Sequence, residues 1–97
     1  HGMTGMTHGT NNDVDTTAEQ LDGSTSGLDT ACKRVDLMAN HANTGSIYVG
    51  GSDAIGSLTG GMELRAGDFY SIDINNLNDI WIEASENNQI LKYIYFT

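Results

Sequence analysis

From Ala31 onward, apolar and polar positions alternate with a period of two, the signature of strands with one face buried. Val35, Leu37 and Ala39 alternate with Arg34, Asp36 and Met38, and Ile47 and Val49 flank Tyr48. Met62, Leu64 and Ala66 follow, then Tyr70, Ile72 and Ile74 against Ser71 and Asp73, then Ile80, Ile82 and Ala84 against Trp81 and Glu83. Ile90 to Phe96 closes the chain with β-branched and aromatic residues that suit a pleated surface. Turn chemistry separates these runs at Asn43-Thr44-Gly45, Gly50-Gly51, Ala66-Gly67-Asp68, Asn75 to Asp79 and Ser85 to Asn88, with a long loop over Ser52 to Gly61. No window shows sustained apolar residues at helical spacing. Short strands at this spacing predict an all-β fold, a small antiparallel β-sandwich or barrel.

The amino-terminal region breaks the pattern. Residues 1–15 hold Gly, Met, Thr, His, Asn and Asp with Val14 as the one aliphatic besides methionine, so they are expected to form an extended, flexible N-terminal arm rather than part of a core. Thr16 to Leu21 reads as a first short strand, followed by a Gly/Ser/Thr-rich turn over Asp22 to Gly27. The expected organisation is an arm over 1–15 and one β domain over 16–97.

Length and charge narrow the classes. Ninety-seven residues suffice for one domain, and a core of this size is often completed by self-association. Cys32 is the single cysteine, so no disulfide forms within the chain, and its place in a strand-like segment predicts a buried, inert thiol. Thirteen acidic residues against four basic ones give a net charge of −9. With Lys33, Arg34, Arg65 and Lys92 scattered, neither nucleic acid nor an anionic membrane is an expected partner. No apolar run approaches the ~20 residues that span a bilayer, and no basic segment leads into an apolar one as in a signal peptide.

Catalytic and metal chemistry find little footing. An N-terminal histidine can chelate copper through its amine and imidazole, as in copper-dependent polysaccharide monooxygenases, with His8 or His41 as a further ligand. Here His1 precedes a Gly/Thr arm that would not fix the geometry, so exposed histidines are expected instead. Asn11-Asn12-Asp13-Val14-Asp15 and Asn75 to Asp79 offer oxygen ligands but lack the calcium-loop spacing, and Asn and Asp are explained by turn conformations. There is no Gly-x-Ser-x-Gly, no phosphate loop and no histidine in a motif with Cys32. The expectation is a protein that is not an enzyme, without cofactor or small-molecule substrate. Tyr48 and Trp81 each lie on the face opposite the aliphatics of their own strand, which makes them candidate interface residues.

Four segments carry a family resemblance: Cys32-Lys33-Arg34-Val35; Asn43-Thr44-Gly45-Ser46-Ile47-Tyr48-Val49-Gly50-Gly51-Ser52; Gly61-Met62-Glu63-Leu64-Arg65-Ala66-Gly67-Asp68; and Asn76-Leu77-Asn78-Asp79-Ile80-Trp81-Ile82. In this order, from Cys32 to Phe96, the chain resembles small virion structural proteins of tailed bacteriophages, which also occur as domains of head-fibre and tail proteins. The resemblance implies a virion component. The acidity argues for the outside of a shell rather than contact with packaged DNA. The resulting expectation is a capsid decoration protein on the outer capsid surface, a homo-oligomer, trimeric at a threefold or quasi-threefold site, bound to the major capsid protein. Its arm would grip neighbouring subunits through Met3, Met6 and Val14, beside Tyr48 and Trp81 as further interface residues. A head-fibre, collar or tail attachment module is the alternative within the class. A carbohydrate-binding β-sandwich using Trp81 and Tyr48 as a sugar platform is the alternative outside it.

Overall fold

The computed structural model describes residues 5–22, 29–52 and 61–97. Expectations placed on residues 1–4, Met3 and the amino-terminal histidine among them, on the turn beyond Asp22 and on most of the 52–61 loop lie outside the described residues. Among the described residues there are eight strands: β1 (Met6–Val14), β2 (Glu19–Gln20), β3 (Arg34–Ala39), β4 (Ile47–Gly50), β5 (Met62–Leu64), β6 (Phe69–Ile72), β7 (Trp81–Ala84) and β8 (Gln89–Phe96). A 3₁₀ turn, Leu77–Asp79, precedes β7.

The strands form two antiparallel four-stranded sheets, ordered β1-β8-β3-β6 and β2-β7-β4-β5. Their facing residues interlock as one core: Val14, Val35, Leu37, Ala39 and Leu91 from the first sheet, and Ile47, Val49, Leu64, Ile82 and Ala84 from the second. Leu21, Leu77 and Ile80 extend the same cluster. The fold is therefore an all-β sandwich, as the period-two runs require. Burial in β3 alternates strictly, with Val35, Leu37 and Ala39 inside and Arg34, Asp36 and Met38 half exposed outside.

The amino-terminal region differs from the expected arm. Met6–Val14 is the longest strand and pairs with β8 from Met6↔Phe96 to Asn11↔Leu91, then through a bulge to Val14↔Gln89. Counting aliphatics undervalued this segment, because an edge strand gains its order from a backbone ladder and needs few anchors of its own. Val14 supplies one anchor as a core residue. Asn11 supplies another: its side-chain amide donates to the Leu21 carbonyl at 3.1 Å and to Glu19 Oε1 at 3.2 Å, tying β1 to the β2 side of the sandwich. The expected strand over Thr16 to Leu21 contracts to the two residues of β2.

The Asn-rich turns are fastened by side chains. The Asn43 amide donates to the Ile90 carbonyl at 2.9 Å, and the Ile90 N–H donates back to Asn43 Oδ1 at 2.8 Å. The buried Gln89 carbonyl oxygen accepts from Thr44 N and Gly45 N at 3.0 and 2.9 Å. Asn76 Oδ1 accepts from Thr30 N and Asn78 N, so one residue both caps the 3₁₀ turn and holds the segment before β3.

Candidate protein-interaction face

The register fixes which side chains share the outer face of the β1-β8-β3-β6 sheet. Because Val35, Leu37 and Ala39 face the core, their cross-strand partners Tyr95, Tyr93 and Leu91 on β8, and Ile72 and Tyr70 on β6, face inward as well. The alternate set faces outward in three rows: Met6, Phe96 and Arg34; His8, Ile94, Asp36 and Ser71; Thr10, Lys92, Met38 and Phe69. Met6, Phe96, Ile94, Met38 and Phe69 thus form an apolar band running diagonally across the sheet. Met6 is 68% exposed, Phe69 66% and Ile94 37%, so the ends and centre of the band are open to solvent.

A cation is braced at the border of this band. The Arg34 guanidinium lies 4.8 Å from the centroid of the Phe96 ring and makes two 3.0 Å bonds to Asp36, Nε to Oδ1 and Nη2 to Oδ2. The bidentate pair presents a flat, pre-oriented group rather than a mobile side chain. The Arg34 hydrogen bond and charge hold the Asp36 carboxyl below the usual carboxylate range, with Ser71 adding a further hydrogen bond. Lys92 and His8 stand on the same face, so two of the chain's four Lys and Arg residues gather on one side of an acidic protein.

The outer face of the other sheet has the opposite character. Tyr48 lies between Glu63 of β5 and Glu83 of β7, with Trp81 beside Gln20. Tyr48 points away from the core as its strand position requires, yet it is only 8% exposed, and Trp81 is half buried. Of the residues singled out from sequence, Met6 is open on the first outer face, while Val14 is in the core and Tyr48 is covered, so neither offers a surface. His8 and His41 are exposed and on separate elements.

Phe69, Ile94, Phe96, Met38 and Arg34 were not singled out from sequence. The signal was present in Ile90 to Phe96, where Leu91, Tyr93 and Tyr95 take one parity and Ile90, Ile94 and Phe96 the other. A strand apolar on both parities is one with something to cover on both faces.

Among the described residues, acidic side chains gather at Asp13, Asp15, Glu19 and Asp22, where burial first and then the neighbouring charges push Glu19 upward, and an Asp15 hydrogen bond with its charge pushes Asp13 upward. Among the described residues, no three His, Cys, Asp or Glu side chains converge as a metal-holding group. A shallow depression of about 500 Å³ is lined by Cys32, Lys33, Asp73, Ile74 and Asn75, with the Cys32 thiol turned inward to the Ile74 carbonyl at 3.3 Å. No protein-family model, curated protein or solved structure matches this chain.

Proposed function

We propose that this chain is a bacteriophage virion structural protein, a decoration protein that docks onto the outer surface of the major capsid protein shell through the outer face of its β1-β8-β3-β6 sheet. The observation that carries this reading is the exposed band from Met6 through Ile94 to Phe69, bordered by Arg34 on one side and Lys92 on the other. Aromatic and methionine side chains around an ordered arginine are the composition of an interface centre, where a few residues supply most of the binding energy. Burying Phe69 alone is worth about 1.5–3 kcal/mol. The net charge of −9 supports the outer shell over a surface facing DNA.

The sheet face takes over the gripping role expected of the amino-terminal arm, since Met6 to Val14 is committed to the sandwich. The sugar-platform alternative loses support with Tyr48 covered. A head-fibre or tail attachment module would use the same face, and the two are separated by the particle that is bound.

Co-sedimentation with decoration-free capsids and, separately, with purified tails is the test. Saturable binding to capsids, weakened tenfold or more by Phe69→Ser or Ile94→Ser in a variant that keeps its β-sheet spectrum, is the expected result. Binding to tails alone would move the protein to the attachment class. Binding to neither particle, or binding indifferent to both substitutions, would overturn the reading.

A further inference from the structure

We infer that the free edge of β1 is a self-association site, at which the β1 strands of two copies pair antiparallel and join two four-stranded sheets into one. The backbone shows which groups are free. Thr97 N donates to Gly5 O at 3.0 Å, in the same register as Met6↔Phe96. In an antiparallel ladder hydrogen-bonded and non-hydrogen-bonded pairs alternate, so Gly5, Thr7, Gly9 and Asn11 direct their N–H and C=O groups at β8. Met6, His8 and Thr10 direct theirs away from it, and among the described residues no strand lies on that side.

Four edges could serve, and length and charge select β1. β2, β5 and β6 have two, three and four residues, whereas β1 has nine. Natural edge strands are kept from self-pairing by shortness, lysine, proline or charge. Met6 to Asn12 has no Lys, Arg, Asp, Glu or Pro. Antiparallel self-pairing of β5 would set Glu63 against its own copy. β6 is bounded by an acidic residue at each end, Asp68 before it and Asp73 after it, so charge guards both ends of that short edge.

On β1, placing Gly9 against its symmetry mate pairs His8 with Thr10 and Met6 with Asn12. The nearest acids, the two Asp13 carboxylates, then lie at opposite ends, roughly 26 Å apart along the strands at ~3.3 Å per residue. That is several times the ~8 Å over which salt screens charge at physiological strength. The occupant that fits this neutral edge within a chain of charge −9 is therefore a second β1, and the inference stands whether or not the sheet face docks on a capsid.

Analytical ultracentrifugation of the full chain over roughly 1 to 300 µM, a range that brackets weak specific pairing, reads the association directly. Amide hydrogen exchange at both ends of that range locates it. The expected results are a monomer–dimer equilibrium and protection of the His8 and Thr10 amides that rises at least tenfold with concentration. Thr10→Pro removes an outward N–H while sparing the β8 ladder, and is expected to give a monomer with an unchanged melting temperature. Phe69→Ser, on the far edge of the sheet, is expected to leave the dimer intact, so loss of capsid binding and loss of dimer are read apart. A chain that stays monomeric throughout, a dimer whose protection falls on another edge, or a dimer that Thr10→Pro leaves unchanged would overturn the inference.

Discussion

Gly9 on β1 and Tyr93 on β8 are direct cross-strand partners, and the tyrosine ring occupies the space a side chain at position 9 would need. A Cβ placed on Gly9 would come within 2.5 Å of Tyr93 Cζ and 2.6 Å of its hydroxyl oxygen. Glycine usually weakens a strand, but here its bare Cα forms the seat for an aromatic ring that packs against the core and stacks on Tyr95 at 6.4 Å. Gly9→Ala is expected to destabilise the protein by about 1–3 kcal/mol through overpacking. Denaturant unfolding measures it, and the double variant Gly9→Ala/Tyr93→Leu is expected to recover part of the loss. An alanine as stable as the glycine would show that Tyr93 moves aside freely.

Gln89 is the second position where one side chain holds much. Its amide oxygen accepts from Thr44 N and Gly45 N, and its amide nitrogen donates to Asn87 O at 3.0 Å. Gln89→Leu keeps similar volume but leaves these backbone groups without partners, which costs about 1–3 kcal/mol for each buried group that water cannot reach. A fall in denaturation midpoint with an unchanged slope is the expected result.

The two kinds of information in the chain were unequally legible. The strands from β3 to β8 announced themselves because one parity of each is apolar, and a half-buried sheet writes that period into its sequence. β1 did not, because its order comes from main-chain bonds to β8 and from Asn11, whose amide contacts are invisible to any count of aliphatics. The candidate face was harder still. Arg34, Met38, Phe69 and Ile94 sit on three strands far apart in sequence, and only the register of β8 against β3, and β3 against β6, brings them into one band. Tyr48 was read to the correct side of its strand, but parity says nothing of what covers that side.

The pH dependence follows from Glu19, Asp13 and Asp36. Burial, the largest influence, raises Glu19, with the Asp15, Asp13 and Asp22 charges adding to it and the Asn11 hydrogen bond opposing it. Asp13 is raised by Asp15. For both, the folded value lies above the unfolded one, so between the two the native state binds more protons and stability falls as pH rises through that window. Asp36 is lowered by Arg34, so its contribution is present above the unfolded value and lost as pH falls through the folded one. Thermal melts are expected to show greatest stability near the ordinary carboxylate values, with one decline as the pH rises from there and another in stronger acid. Glu19→Gln keeps a carbonyl for the Asn11 amide and is expected to flatten the neutral-side decline. A decline of the same size in that variant would assign it to the remaining acidic charge.

Cys32 gives the last prediction. Its thiol is buried and hydrogen-bonded to the Ile74 carbonyl, and the Cys32 N–H donates to Asn75 O at 3.1 Å, so the residue is fixed from both ends at the start of the sandwich. Desolvation, with the Asp79 carboxylate adding its charge, pushes the thiol above its ordinary value and keeps it protonated where free cysteine begins to ionise. Thiolate is the reactive form, so burial and protonation act together against modification. Reaction with an aromatic disulfide reagent at pH 8 is expected to be at least a hundredfold slower than for the urea-unfolded chain, and to follow the opening of the β3–β6 region rather than reagent concentration. Ile74→Ala, which thins the cover over the thiol, is expected to speed labelling. A native rate equal to the unfolded one would place Cys32 in solvent and remove it from the core.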